Sequence, residues 1–378
     1  QIGPSEDSFR RICSPVAQLW GKKTVKNELL RSICSRRFPS PTGSYVTAAP
    51  PGLAAVRRNI GATPYHPRHA APHRVFRPMY QPIHPLRSST LPLRRLNYHV
   101  NHWGPEQSPL PPLVLLHGWM DVGASYQFTV DALRQQRRIL APDWRGFGQT
   151  STPQADHYVF ADYLADLDML LDHYAPGQAV DLVGHSMGGN VAMMYAGVRP
   201  ERIRRLVNLE GFGMPATRPA QAPTRYAQWI DEIKQLHQGE KTLNTYDDAS
   251  GVARRLMKTN PRLSQDKADW LAQHWARPNA QGRWEILGDP AHKVTSAQLF
   301  RVDETLALYA RITAPVLAVE ASDDSLGQWW KERYSLDEYH ERLTHVPNCR
   351  VAVVQDAGHM LHHDQPEAVA RLIEDFLD

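Results

Sequence analysis

The sequence predicts an α/β protein with a mostly parallel central sheet, helices on both faces and a helical cap inserted after the sixth strand. Short, continuous apolar runs such as Leu113–Leu116 are typical of strands that are covered on both faces. These runs alternate with helical segments, which indicates right-handed crossovers and parallel pairing. Residues 214–311 interrupt that alternation with helical segments and no strand of the parallel type, which indicates the inserted cap.

The strands and helices of the core follow in chain order. A first strand pair is predicted within 93–103, and the later strands at 113–116, 138–143, 180–183, 203–209, 315–319 and 350–354. Core helices are predicted at 125–135, 158–174, 190–196 and 366–377, and cap helices at 226–237, 250–259 and 265–277. The helix at 158–174 is the clearest of these, because Leu164, Leu167 and Leu171 recur at helical spacing.

The charges divide the chain into a basic leader and an acidic body. Residues 1–90 hold fourteen Lys and Arg, three Asp and Glu and twelve prolines, and we expect them to be disordered or loosely packed. The α/β core then takes 91–213 and 312–378, and the cap takes 214–311. Because the body carries 29 basic and 36 acidic residues, the net charge of +4 comes from the leader and does not indicate a nucleic-acid-binding body.

The number of cysteines and the length of the apolar runs limit the possible cellular compartments. Three cysteines, Cys13, Cys34 and Cys349, are too few for a disulfide framework and form no Cys-x-x-Cys pair. No apolar run reaches the length that crosses a bilayer. We therefore expect a cytoplasmic protein without a membrane span, while the leader leaves export or organelle targeting open. The oligomeric state is not predicted.

The stretch Gly184-His185-Ser186-Met187-Gly188 matches the pattern Gly-x-Ser-x-Gly between a strand and a helix. A sharp turn at that point forces the serine into strained backbone angles, and side chains two residues on either side would collide there. The start of a helix also favours developing negative charge. These features predict Ser186 as a nucleophile.

Serine becomes reactive when a base takes its proton, and the end of the last strand offers one. Gly358 allows a tight turn there, and His359 would project at the carboxyl edge of the sheet. His362 and His363 are rivals that lie further along, towards the final helix.

The imidazole in turn needs an acid that fixes its tautomer. The loop after the strand at 315–319 offers Glu320, Asp323 and Asp324. Glu210, which follows the preceding strand of the sheet, is a fourth candidate. The residues alone leave this choice open.

Attack on a carbonyl creates an oxyanion that needs N–H donors. The backbone amides of Met187 and Trp119 are the predicted pair, one after the nucleophile and one in the loop after an early strand. The neighbouring His117, Gly118 and His185 are candidate substrate contacts, and His117 could instead brace its loop. No cofactor or metal ion is implied.

These motifs together resemble the α/β-hydrolase fold superfamily over residues 91–378. The chain is similar to capped bacterial serine esterases and to the group called serine hydrolase-like proteins. The matching pieces are Leu-His-Gly-Trp (116–119), Asp-Trp-Arg-Gly-Phe-Gly-Gln-Thr-Ser (143–151), Gly-His-Ser-Met-Gly-Gly (184–189), Pro-Val-Leu-Ala-Val-Glu-Ala-Ser-Asp-Asp (315–324) and Asp-Ala-Gly-His (356–359).

The resemblance implies a triad in the order Ser, Asp, His. In the family the acid usually lies three residues after a glycine that closes the strand. Ala321 replaces that glycine here, and the count reaches Asp324, with Asp323 and Glu210 as runners-up. Related epoxide hydrolases and haloalkane dehalogenases carry Asp where this chain has Ser186, so those reactions are disfavoured.

The expected activity is hydrolysis of a small carboxylic ester through an acyl-enzyme, as in a carboxylesterase. The alternatives keep the same triad and act on carbon–carbon bonds of diketones, on lactones or on amides, or carry out perhydrolysis. A different class of alternative is a non-catalytic protein of this fold that binds a ligand or a partner.

Overall fold

The computed structural model describes residues 79–153 and 155–378. The expectation for the basic leader lies for the most part outside these residues. Its last part does not fit the prediction, because the first strand begins at Arg87. In addition, the Tyr80 hydroxyl donates a 2.6 Å hydrogen bond to Asp131. The folded part of the chain therefore starts before residue 90.

The central sheet has eight strands, and the predicted parallel arrangement is confirmed. Its spatial order is β1-β2-β4-β3-β5-β6-β10-β11. The β1/β2 and β2/β4 pairs are antiparallel, and the other pairs are parallel. The strands are Arg87–Leu93 (β1), Leu96–Trp103 (β2), Leu113–Leu116 (β3), Ile139–Pro142 (β4), Val180–His185 (β5), Ile203–Leu209 (β6), Val316–Ala321 (β10) and Cys349–Val354 (β11).

Helices cover both faces of this sheet. One face packs against α2, α3, α7 and α9, and the other packs against α1 and α11. No helix among the described residues is long and apolar enough to cross a membrane. The core helices are Gln127–Ala132 (α1), Phe160–Tyr174 (α2), Met187–Val198 (α3), Val302–Tyr309 (α7), Ser325–Trp330 (α8), Leu336–Leu343 (α9), Leu361–Asp364 (α10) and Pro366–Leu377 (α11).

The cap enters after the sixth strand, as predicted, but it is not wholly helical. Its strands pair antiparallel in the order β7-β9-β8. They are two or three residues long, so they cannot show the two-residue period by which strands are found in a sequence. The elements are Ala222–His237 (α4), Thr245–Tyr246 (β7), Ala249–Thr259 (α5), Gln265–Trp275 (α6), Ala276–Pro278 (β8) and Trp284–Ile286 (β9).

The helix α7, which the sequence analysis placed in the cap, packs on the core. A Cβ atom on Gly197 of α3 would lie 2.4 Å from the carbonyl oxygen of Leu308 in α7, so the two helices approach closely. The Arg311 guanidinium donates a 3.1 Å hydrogen bond to the Gly197 carbonyl and fixes the end of α7 on the same helix. The cap therefore ends before α7.

Candidate active site

The turn between β5 and α3 holds Ser186 in a strained conformation. Its backbone angles are φ 53° and ψ −117°, which side chains of L-residues rarely adopt. The Ser186 N–H donates to the Leu209 carbonyl at 2.8 Å, and the Ser186 carbonyl accepts from the Asn190 N–H at 3.0 Å. The turn is therefore fixed to β6 on one side and to α3 on the other.

Two glycines make this turn possible. A Cβ atom on Gly188 would lie 2.2 Å from the carbonyl oxygen of Leu116 in β3, and one on Gly184 would lie 2.3 Å from the Gly188 carbonyl oxygen. Both distances are too short for real atoms. The collision that the Gly-x-Ser-x-Gly pattern implies is thus partly between the two glycines and partly with the neighbouring strand.

The loop after β3 lies directly beside the serine. A Cβ atom on Gly118 would lie 3.2 Å from the Ser186 Cβ. Met187 is the first residue of α3, so its N–H has no acceptor within the helix. Within the described residues, neither this amide nor that of Trp119 donates to another protein group. Both predicted oxyanion donors are therefore uncommitted.

His117 braces that loop. Its Nε2 accepts from the Trp144 N–H at 2.8 Å, and its Nδ1–H donates to the Gly118 carbonyl at 2.8 Å. The Trp144 indole N–H donates to the His117 carbonyl at 3.0 Å. Complete burial lowers the pKa of His117 to about 4, so the ring is neutral at pH 7. Both ring nitrogens of His117 are therefore engaged by protein groups, and its role as a substrate contact stays a prediction.

His359, in the loop after β11, faces Glu210 rather than either aspartate. Its Nδ1 lies 3.2 Å from Glu210 Oε2. The other carboxylate oxygen, Oε1, accepts the Ala321 N–H at 2.7 Å. Glu210 directly follows β6, is 3% exposed and has a positive φ of 54°. A buried, hydrogen-bonded carboxylate thus orients the imidazole.

The aspartates after β10 have other partners, so the expectation for Asp324 is not met by the geometry. Asp324 caps α8, because its Oδ1 accepts the Gly327 N–H at 2.7 Å. Asp323 forms an ion pair with Arg262 of the cap at 2.8 Å. Glu210 was a runner-up in the sequence, and its signal was an acid placed at the end of β6.

Burial sets the charge states of the pair. It raises the pKa of Glu210 to about 7, with further increases from Asp324 and Asp323, while the Ala321 N–H opposes the shift. Burial lowers the pKa of His359 below its usual range, so the imidazole is neutral at pH 7. A neutral imidazole is the form that can accept a proton.

The other histidines near the turn are placed differently. His185 is 2% exposed, and its Nε2 lies 2.7 Å from the His359 carbonyl oxygen, so it holds the His359 loop. His362 and His363 are buried, and neither donates a hydrogen bond to an acid among the described residues, although His362 Nε2 lies 4.0 Å from Asp121 Oδ2. No described hydrogen bond joins the Ser186 hydroxyl to His359, and contacts of this kind often tighten only when substrate binds.

A cavity of about 450 Å³ lies between cap and core beside His359. Leu256, Arg262 and Trp275 line it from the cap. Trp329 lines it from α8, with its ring centroid 4.0 Å from that of His359 in an edge-on arrangement. Trp329 could not be predicted as part of the site, because nothing in the sequence of α8 shows that its ring contacts the imidazole of His359.

Known proteins match this chain over its core and cap. The family described as alpha/beta hydrolase fold matches residues 111–366. A serine hydrolase-like protein of Danio rerio is 28% identical over 283 residues, which covers 73% of this chain and 83% of that protein. A cis-3-alkyl-4-alkyloxetan-2-one decarboxylase of Shewanella oneidensis is 26% identical over 275 residues, or 70% of this chain and 81% of the relative.

A solved structure has the same architecture. The thioesterase domain from the curacin biosynthetic pathway superposes with a TM-score of 0.66 at 22% identity, covering 77% of this chain and 99% of that domain. The family match spans more than half of the chain. It agrees with the eight-stranded sheet and the turn at Ser186. The chain therefore belongs to the α/β hydrolase fold family.

Proposed function

We propose that this protein is a serine hydrolase that cleaves carboxylic esters through an acyl-enzyme, with Ser186, His359 and Glu210 as its triad. The observation that carries the proposal is the 3.2 Å contact between His359 Nδ1 and the buried Glu210 carboxylate. That contact leaves His359 Nε2 as the nitrogen that accepts the serine proton. Asp324, which the resemblance favoured, has no part in this arrangement.

The reaction proceeds in two halves. The Ser186 oxygen attacks the ester carbonyl as His359 takes the hydroxyl proton, and the amides of Met187 and Trp119 stabilise the oxyanion. When the carbon–oxygen bond breaks, His359 returns that proton to the leaving alcohol, and the acyl group stays on the serine. Water then attacks the acyl-enzyme, gives a proton to His359 and releases the acid, and the proton returns to Ser186.

Glu210 stabilises the imidazolium that forms in both halves. The contact of Glu210 with Nδ1 fixes the tautomer of His359, and the negative charge of the carboxylate offsets the positive charge on the ring. Burial strengthens this interaction because little water screens it. The Ala321 N–H holds the carboxylate in place at 2.7 Å, so the orientation exists before substrate arrives.

The cavity suits a small substrate with an apolar part. Leu256, Trp275 and Trp329 offer apolar and aromatic walls, and Arg262 offers a cation that Asp323 neutralises in part. The same triad could act on lactones, amides or carbon–carbon bonds. One relative is named a decarboxylase of an oxetanone, so the substrate panel should include lactones and dienone acids beside short esters.

A fluorophosphonate probe tests the nucleophile directly. We expect the wild-type chain to be labelled once, at Ser186, because the activated hydroxyl attacks phosphorus as it attacks a carbonyl. Mass spectrometry of the digested protein locates the label, and Ser186→Ala serves as the matched control. Labelling of another serine, or turnover of amides but of no ester in the panel, would contradict the proposal in its present form.

The pH dependence of kcat/KM tests the acid. Catalysis needs neutral His359 and ionised Glu210, and both conditions favour higher pH, so kcat/KM rises along an acidic limb. Because burial raises the pKa of Glu210 to about 7, this limb is expected near neutrality in the wild type, as a property of the coupled pair.

In Glu210→Gln the carboxylate no longer favours the imidazolium. Burial already lowers the pKa of His359, so the limb should move to lower pH while the rate falls. Kinetics with a neutral ester between about pH 4 and 9 cover the wild-type limb, and the mutant should show no limb near neutrality in that range. A limb at the same pH in both proteins would mean that Glu210 does not control the titration.

A further inference from the structure

Three buried polar side chains meet behind the turn at Ser186. Asp121 comes from the loop after β3, His185 from the end of β5 and His362 from α10. One potential ligand atom from each lies within 4.8 Å of the others, and His362 Nε2 lies 4.0 Å from Asp121 Oδ2. Their exposed fractions are 4%, 2% and 0%. We call these three residues the Asp121 cluster.

The atoms that face one another in the Asp121 cluster have no partner. Within residues 79–153 and 155–378, no protein group lies within hydrogen-bonding reach of Asp121 Oδ2, His185 Nδ1 or either ring nitrogen of His362. Leaving a buried polar group unsatisfied destabilises the folded protein, and a charged group does so more strongly. One such atom from each of the three residues could be satisfied by a single shared ligand, and the cluster therefore indicates one.

The remaining atoms of Asp121 and His185 are engaged, so the unpartnered ones are the atoms left for a ligand. Asp121 Oδ1 accepts the Val122 N–H at 2.8 Å and the Ser125 hydroxyl. His185 Nε2–H donates to the His359 carbonyl at 2.7 Å, which leaves a lone pair on Nδ1. Histidines that bind metals are oriented by this type of contact, in which one ring N–H donates to a backbone carbonyl.

The donor set distinguishes a cation from a water molecule. Asp121 is buried, and no Lys or Arg among the described residues forms a salt bridge with it. A divalent cation would balance the charge of its ionised carboxylate, and a neutral water would not. Two imidazole nitrogens and one carboxylate oxygen are ligands that suit Zn²⁺, whereas Mg²⁺ and Ca²⁺ prefer oxygen alone.

We propose that Asp121, His185 and His362 bind one zinc-type divalent ion behind the nucleophile turn, with a water molecule as the fourth ligand. His185 precedes Ser186 and bonds the His359 carbonyl, and its ring centroid lies 4.7 Å from that of His359.

Zinc titration of the full chain, freed of metal by a chelator, tests the binding. Isothermal titration calorimetry should show a site in the wild type whose affinity falls at least about 10- to 100-fold in Asp121→Asn and in His362→Gln, since a lost ligand weakens binding no less than a lost supporting contact. The matched control is His157→Gln with His237→Gln, which removes the two exposed histidines at 3.4 Å from Asp156. The control should keep the site.

X-ray absorption at the zinc edge covers the case in which a cluster variant fails to fold. The wild type should show nitrogen and oxygen ligands at about 2.0–2.2 Å with an imidazole signature. Equal binding by the wild type and both folded cluster variants, loss of the site in the control, or a shell of water alone would overturn the proposal.

Discussion

The substitution Ser186→Ala is expected to lower kcat for short p-nitrophenyl esters by about 10⁴- to 10⁶-fold, as loss of the nucleophile does in other serine hydrolases. The residual rate would come from binding and from the oxyanion donors, which the substitution leaves in place. Steady-state kinetics after removal of contaminating esterases gives the measurement.

Folding is not expected to account for this loss. Alanine keeps a Cβ atom, so the strained φ of 53° and the contacts of Gly118 with that atom are unchanged. The two proteins should have the same circular dichroism spectrum and nearly the same Tm. A mutant that kept most of the wild-type turnover would remove Ser186 from the mechanism and leave only the fold.

Glu210→Gln is expected to lower kcat by about 10³- to 10⁴-fold, because the amide can neither fix the productive tautomer of His359 nor offset the imidazolium charge. The matched control is Asp324→Asn, which makes the same change of carboxylate to amide one strand away. Asn caps helices as well as Asp, so α8 should persist and kcat should stay within about threefold of the wild type.

The variants at Glu210 and Asp324 distinguish the acid that the structure favours from the acid that the resemblance favours. If Asp324→Asn caused the large loss and Glu210→Gln did not, the acid would come from β10, and the contact of Glu210 with His359 would be structural. Equal small losses in both would mean that His359 works without a carboxylate partner. Measuring kcat and KM separately distinguishes either result from a change in substrate binding.

The parts of the site that could be predicted are those that local chemistry defines. Gly184 and Gly188 identify the turn at Ser186, because only glycine fits against Leu116 and the turn itself. The acid could not be predicted in the same way. Glu210 and Asp324 both follow strands of one sheet, and which of them meets His359 depends on packing that no sequence spacing reports.

Other parts of the fold were missed for physical reasons. The cap strands β7, β8 and β9 are too short to carry a period. The Asp121 cluster joins three segments that are distant in the sequence. Its histidines had other interpretations there, since His185 lies in the Gly-x-Ser-x-Gly turn and His362 was a rival for the base. Helix α7 was placed in the cap with the rest of residues 214–311, and its place on α3 follows from the close approach at Gly197.

Because Glu210 follows β6, the loops after the neighbouring strands β6 and β10 have different roles. With Glu210 at the end of β6 in contact with His359, the loop after β10 is free to reach the cap, and Asp323 pairs with Arg262 there. An acid at the end of either strand can reach the same imidazole, so its position in the sequence can change while the fold stays the same. A search that expects a carboxylate at one fixed position would miss such a site and would classify the protein as inactive.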